Sequence, residues 1–465
     1  MSESRREIPP AEIEAQREIC REMREKNRER QSPPLAYVDT YGCQQNEADS
    51  EILRGFLRDM GYGFTEDEYR ADLIAVNTCA VREHAEMRVF GNVGALTHTK
   101  KAKPDQIIVL CGCMAQREDV RERVKKSYPI VDLMFGPFDL WRFPELLKER
   151  LEGKKRVFAA PDGAGAVAEG LPVQRMGKWK AWLSIMYGCN NFCSYCVVPY
   201  ARGRERSRRP ERVLEDAKAL LADGVREITL LGQNVNSYGR DLGGGESFPA
   251  LLTAVNALPG EFLIRFMTSH PKDAGEALFS AMAESEKCAK HLHLPVQAGN
   301  DRVLRAMNRG YTAEDYLKKI RRLRELMPDI VLTTDIIVGF PGETQTEFED
   351  TLALVDEVRF DAMFTFLYSR RPGTPAAELP DPVSRAEKQA RFDRLLTLAN
   401  AISAEKHAAY VGRTLRVLVD GPGTGRTNGG RLVRFTGGAP AGEFADVKIT
   451  GSATWSLEGE VCSGV

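Results

Sequence analysis

The chain has 465 residues, 43% of them hydrophobic and 28% charged, with a formal net charge of -1 at neutral pH. That length calls for about three domains with cores of their own, and the charge balance excludes a partner chosen by bulk electrostatics, so any nucleic-acid footprint has to be local. No apolar run reaches the ~18 residues of a membrane span, residues 1–35 lack the apolar core of an export signal, and ten cysteines without export point to a reducing, cytoplasmic setting with metal or redox use.

Residues 1–34 read as a charged arm in which Pro9 and Pro10 open a helix over about 11–30. Its apolar stripe (Ile13, Ile19, Cys20, Met23) is thin and favours a solvated appendage over a docked helix. Over 35–151, short β-rich runs alternate with amphipathic helices. Strands are predicted at 36–43, 73–79, 106–113 and 131–135, which implies a doubly wound parallel sheet. Three of these strands finish at a cysteine: Cys43, Cys79 and Cys113. Ligands of open α/β sheets sit at the carboxyl ends of the strands, so the three thiols are expected to converge as a second three-thiolate cluster site. The competing reading is three buried cysteines packed as small hydrophobes. Cys111 lies one rung deeper than Cys113, and Asn46, Asn77 and Gln116 are placed to hydrogen-bond the cluster. Residues 152–178, rich in Gly and Ala, read as a linker.

The segment 179–404 opens with a strand feeding Cys189-Asn190-Asn191-Phe192-Cys193-Ser194-Tyr195-Cys196. Three thiolates at this C-x3-C-x2-C spacing can wrap an iron–sulfur cube and leave its fourth iron without a protein ligand. A zinc knuckle competes, but the spacing lacks a matching second pair and no histidine lies within seventy residues. Five further strand–helix units follow, with strands near 227–231, 263–268, 291–296, 331–338 and 362–368. They make a partial (β/α)6 barrel whose chemistry belongs at the C-terminal strand ends. Arg202, Arg204, Arg206, Arg208 and Arg209 form a basic run behind the cluster loop. His291 and His293 share one face of a strand and are expected to be hydrogen-bonding groups rather than a metal pair. Residues 405–465 read as short strands with Gly-rich turns, a small five-stranded β-barrel.

On the triplet and the strand ends around it, the central segment resembles the radical S-adenosylmethionine (SAM) enzymes. The resemblance implies that Cys189, Cys193 and Cys196 hold a 4Fe-4S cluster whose free iron binds SAM. It places Tyr195 near the adenine, Gln233 near the methionyl amine, and the Asp335-Ile336-Ile337-Val338-Gly339 segment, through Ile337 and Gly339, behind the adenine. Gly425-Arg426-Thr427 and Arg431-Leu432-Val433-Arg434-Phe435 resemble the TRAM domain of RNA-modifying enzymes, where Arg426 and Arg431, with Arg202 and Arg204 of the basic run, become candidate RNA contacts. The order of parts, with Thr40-Tyr41-Gly42-Cys43-Gln44, Asn77-Thr78-Cys79-Ala80-Val81-Arg82-Glu83, Cys111-Gly112-Cys113-Met114-Ala115-Gln116 and Leu231-Gly232-Gln233-Asn234-Val235-Asn236-Ser237-Tyr238, resembles the MiaB branch of the methylthiotransferases.

That resemblance implies methylthiolation of carbon 2 of isopentenyl-adenosine beside the tRNA anticodon. It implies two 4Fe-4S clusters, the auxiliary one on Cys43, Cys79 and Cys113, facing each other across the substrate cavity. One SAM serves as methyl donor and another as source of the 5′-deoxyadenosyl radical, which fits a C–H bond with no easy polar route to C–S. Expected partners are tRNA and an electron donor such as flavodoxin or ferredoxin, with the protein a monomer and no membrane involved. Two alternatives stand at this stage. One is the same chemistry on threonylcarbamoyl-adenosine in tRNA or on a ribosomal-protein aspartate; the other is a non-catalytic iron–sulfur scaffold that binds RNA.

Overall fold

The computed structural model describes residues 7–80, 83–153, 155–159 and 165–462, which leaves Val81 and Arg82 of the second cysteine motif and residues 160–164 outside the described residues. The chain divides into two compact units.

The first unit begins with α1 (Pro10–Arg28), then β1 (Leu35–Tyr41), α2 (Gln44–Asp59), β2 (Gly63–Phe64), β3 (Leu73–Thr78), α3 (Glu83–Ala102), β4 (Ile107–Gly112), α4 (Glu118–Ser127), β5 (Leu133–Phe135), α5 (Phe143–Gly153) and β6 (Val157–Phe158). Its six strands form one parallel sheet in the order β2-β1-β3-β4-β5-β6. Strand side chains alternate between two apolar layers, as the two-residue period of a strand buried on both faces requires. Leu73, Ala75, Ile107, Val109 and Leu133 face one layer with Leu53, Phe56 and Leu57 of α2 and Phe143 and Leu147 of α5. Ile74, Val76, Ile108, Leu110 and Met134 face the other with Val89 and Val93 of α3 and Val120 and Val124 of α4. The sheet is therefore doubly wound. The chain reverses its winding direction between β1 and β3, which is where such sheets place their ligand sites.

The N-terminal helix corrects one expectation. Ile13, Gln16, Cys20 and Met23 are buried, Cys20 and Met23 joining the layer of α2 and α5. Gln16 Nε2 donates to Glu145 of α5 at 3.2 Å, and its Oε1 accepts from the Glu145 amide. A thin stripe suffices because α5 presents a matching face and polar contacts seal the edges. The linker is also less free than its composition suggests: β6 pairs with β5, and Gln174 N–H donates to Glu51 O at 2.9 Å.

After β7 (Lys180–Ser184), the segments β8 (Met186–Tyr187), α6 (Val198–Arg202) and β9 (Arg206–Ser207) count with the first unit. The second unit continues through α7 (Pro210–Ala222), β10 (Glu227–Leu231), α8 (Phe248–Asn256), β11 (Leu263–Phe266), α9 (Glu276–Glu284), β12 (His291–His293), α10 (Asp301–Ala306), α11 (Ala313–Leu326), β13 (Val331–Val338), α12 (Gln345–Val358), β14 (Ala362–Leu367) and α13 (Arg385–Ala408). Strands β7, β10 and β11 form one parallel sheet and β12, β13 and β14 another. A bridge from Ile264 to Cys288 carries the first sheet toward the second, so six parallel strands run in sequence order as a partial barrel. The unit ends in a closed five-stranded barrel of β15 (Thr414–Gly421), β16 (Thr424–Thr427), β17 (Leu432–Thr436), β18 (Phe444–Ala453) and β19 (Ser456–Val461), ordered β15-β16-β17-β19-β18. That barrel is tied to the larger one by Arg265, which donates to Thr427 O and Asn428 O at 2.9 and 2.7 Å.

Candidate functional site

Cys43, Cys79 and Cys113 follow β1, β3 and β4, three neighbouring strands, at their carboxyl ends. Cys43 is the N-cap of α2, with its amide 3.4 Å from Asn46 Oδ1. Its thiol is pushed down to about 6, first by a hydrogen bond with Cys79 and then, against the cost of burial, by the positive charge of Arg202 and the first amides of α2. A thiol so lowered is substantially thiolate at neutral pH, the form that ligates metal. Cys113 opens a 3-10 turn, and the preceding Gly112 has φ +89, where an added Cβ would lie 2.3 Å from Asn77 Oδ1 and 2.4 Å from Thr78 O. Only glycine allows the β4 turn to approach the β3 turn that closely. Arg202 Nε donates to Cys113 Sγ at 3.1 Å, and Arg202 Nη2 to Asp49 Oδ2 at 2.7 Å. Cys111 belongs to the opposite apolar layer, fully buried, with its thiol shifted upward by that burial.

The Cys43 thiol donates to Asn46 Oδ1 at 3.5 Å, so Asn46 presents an acceptor to that sulfur and not the expected donor. Asn77, in contrast, donates to Asn46 O and Ser50 Oγ, and Asn46 Nδ2 donates to Asn77 Oδ1 and Thr78 O. The two asparagines therefore lock the β1 and β3 turns to each other. Among the described residues no three Cys, His, Asp or Glu side chains are close enough to share one metal ion. A polynuclear cluster spreads its thiolates further, one to each iron. The donor set suits such a cluster.

The C-x3-C-x2-C loop is shaped by its own backbone. Gly188, before Cys189, has φ +77 and would place a Cβ 2.1 Å from Arg204 O, while Cys189 N–H donates to Gly203 O at 3.0 Å. Further along, Ser194 N–H donates to Met307 O and Ser194 Oγ to Ala306 O. Asn308, itself at φ 58, donates through Nδ2 to Phe192 O at 3.0 Å. Cys193 is buried and meets two groups: His270, which the sequence offers only as part of a strand end, and Arg309, which it does not single out. Arg309 Nη1 donates to its Sγ at 3.2 Å, and His270 Nε2 stands 3.9 Å away. His270 Nδ1 accepts the Lys272 amide and burial pulls the imidazole down to about 2, so the neutral ring directs its Nε2–H at the sulfur. The Asn-Arg-Gly turn after α10 and the Ser269-His270 strand end were the available signals.

The residues expected to surround SAM lie at the C-terminal strand ends of the partial barrel. Tyr195 and Ile337 pack on one cluster with Phe340 and Met307, and Arg309 Nη1 donates to Tyr195 Oη at 3.4 Å. Gly339 follows β13 at φ +72, with its amide donating to the buried Glu343 carboxylate at 2.8 Å. Gln233 is half-buried two residues beyond β10. His291 and His293 both hydrogen-bond Thr333 Oγ1, at 3.0 and 2.9 Å.

Two expected RNA contacts are corrected. Arg202 is 4% exposed and engaged with Cys113 and Asp49. Arg431 is 6% exposed, paired with Asp361 and stacked over Tyr410 at 4.7 Å. Neither guanidinium is open to a phosphate. A basic run looks uniform in sequence, and only packing separates its members. Arg204 and Arg426 are exposed.

Among the described residues no helix is long and apolar enough to cross a membrane. Three family models match: the radical SAM superfamily over residues 183–355, the uncharacterized protein family UPF0004 over 35–136, and the TRAM domain over 408–462. The chain is 47% identical to the tRNA-2-methylthio-N(6)-dimethylallyladenosine synthase of Acetivibrio thermocellus, over 98% of this chain and 97% of that protein. It is 49% identical to the same-named protein of Caldicellulosiruptor saccharolyticus, over 91% and 92%. Among solved structures, the radical SAM methyltransferase TsrM from Kitasatospora setae shares the fold at a TM-score of 0.54 and 16% identity, covering 74% of this chain and 75% of that one. On these matches, the chain belongs to the tRNA-2-methylthio-N(6)-dimethylallyladenosine synthase family of radical SAM methylthiotransferases.

Proposed function

We propose that this protein methylthiolates carbon 2 of isopentenyl-adenosine next to the tRNA anticodon. The observation that carries the reading is the second cysteine set, Cys43, Cys79 and Cys113, at three adjacent strand ends with a thiol already lowered to about 6. A radical SAM enzyme that only generates a radical has no use for it; one that must also deliver sulfur does. In this reading Cys189, Cys193 and Cys196 hold the 4Fe-4S cluster that binds SAM, and Cys43, Cys79 and Cys113 hold an auxiliary 4Fe-4S cluster. When bound, these groups supply the electron that cleaves SAM and the sulfur that is transferred.

The chain's own residues hold and shield the parts. Arg309 and His270 place donors on the buried sulfur of Cys193. Tyr195 and Ile337 offer an apolar wall for the adenine of SAM. Gln233 after β10 and the Gly339 turn after β13 stand at two carboxyl strand ends of the partial barrel. Arg204 and Arg426, exposed and basic, meet the RNA backbone. A small reduced flavodoxin or ferredoxin supplies electrons to a monomer acting in the cytoplasm.

Anaerobically reconstituted protein, given SAM, dithionite and an anticodon stem-loop containing isopentenyl-adenosine, is expected to yield the 2-methylthio nucleoside. Recovery of the nucleoside unchanged, from protein that cleaves SAM under the same conditions, would refute the substrate assignment.

A further inference from the structure

Arg202 is a costly residue to bury. Its side chain and that of Asp49 are 5% and 7% exposed, and a buried ion pair recovers its desolvation cost only with good geometry and further hydrogen bonds. The geometry here is specific. Nε–H and one Nη2–H leave the same edge of the guanidinium: the first goes to Cys113 Sγ at 3.1 Å, the second to Asp49 Oδ2 at 2.7 Å. The other oxygen of Asp49 accepts from Gln45 Nε2 at 3.3 Å, one turn up α2. Three segments (the end of α6, the first turns of α2 and the turn after β4) are thus joined through one guanidinium. The pairing leaves Arg202 and Asp49 neutral as a couple while directing an N–H at the sulfur.

We infer that Arg202, anchored by Asp49, is a positioning residue for the second cluster: it fixes Cys113 and withdraws charge from its sulfur, making the cluster easier to reduce and harder to strip. The inference rests on the reading of Cys113 as a cluster ligand. Its physical basis is that hydrogen bonds to ligating sulfurs set the potential of iron–sulfur clusters and that outer partners orient the ligands they touch. A lysine cannot replace the arginine fully, because one ammonium lacks the planar edge that serves sulfur and carboxylate together.

The test uses the full chain with Cys189, Cys193 and Cys196 changed to alanine, reconstituted without oxygen so that only the second cluster remains. Iron per chain, resistance to a chelator and the midpoint potential by spin-resonance titration are read for this parent and its variants. Arg202→Met is expected to shift the potential to more negative values and to lower iron retention by about 10- to 100-fold, the range for lost outer partners. Arg202→Lys should fall between Met and the parent, and Asp49→Asn, which leaves the guanidinium charge uncompensated beside the cluster, should shift the potential to less negative values. Equal potentials in the parent and Arg202→Met overturn the inference. If the Met variant takes up no iron, equal potentials in Arg202→Lys, Asp49→Asn and the parent overturn it. Full iron retention in Cys113→Ala would instead refute the cluster reading beneath it.

Discussion

Changing Arg431 to methionine separates a structural arginine from an RNA-binding one. Its guanidinium pairs with Asp361, Nη1 lies 3.3 Å from His407 Nε2, and the plane stacks on Tyr410. Asp361 Oδ2 also accepts the Leu332 amide at 2.8 Å, so this pair joins the small C-terminal barrel to β13 and β14. Methionine fills similar volume but leaves the carboxylate, 6% exposed, without its cation. Breaking a buried pair from one side costs about 3–5 kcal/mol, which for a unit of this size lowers the thermal midpoint by roughly 5–15 °C. Adding Asp361→Asn removes the stranded charge, keeps an acceptor for Leu332, and should restore a large part of the loss. Scanning calorimetry gives the midpoint, and fluorescence anisotropy with an anticodon stem-loop, read well below it, gives RNA affinity. The reasoning fails if Arg431→Met melts within about 1 °C of the parent while stem-loop affinity falls about tenfold.

Three other outcomes follow from the same structure. Arg204→Ala and Arg426→Ala should leave the midpoint unchanged, and each should weaken stem-loop binding and reduce the slope of log K against log salt by about one; an unaltered slope removes that residue from the RNA contacts. Cys43→Ala should halve the iron of reconstituted protein, from about eight atoms to about four, with SAM cleavage retained; undiminished iron would show that the second set is not a cluster site. Burial pulls His291 down to about 3, whereas the unfolded chain protonates near the ordinary value of about 6.5. Its contribution to stability is therefore present above about pH 6.5 and lost as pH falls toward 3, about 2 kcal/mol of it by pH 5. His291→Gln should narrow the difference in midpoint between pH 7 and pH 5, and an unchanged difference would contradict this.

Much of the fold was legible because buried strands leave dense apolar runs. Leu73–Thr78 and Ile107–Gly112 are buried at every position, and the cysteines closing such runs had to meet wherever the strands became neighbours. Two-residue strands such as β2 and β6 carry no periodicity and could not be read. The strand Thr424–Thr427 shows in the sequence only as a motif, since Gly425 hides its alternation; an added Cβ there would meet Leu418 O at 2.5 Å. Docking of α1 depended on α5, more than a hundred residues away, so its stripe looked too thin alone. His270 and Arg309 stand far from Cys193 in sequence, and only the closing of the barrel brings them to it. The five arginines behind the triplet differ by packing, which composition does not encode.

Mass spectrometry of tRNA nucleosides from a strain lacking this gene reads the methylthiolation of isopentenyl-adenosine itself. The expected result is loss of 2-methylthio-isopentenyl-adenosine, accumulation of isopentenyl-adenosine, and recovery on return of the intact gene but not of its Cys189→Ala or Cys43→Ala forms. An unchanged level of the 2-methylthio nucleoside in the deletion strain would contradict it.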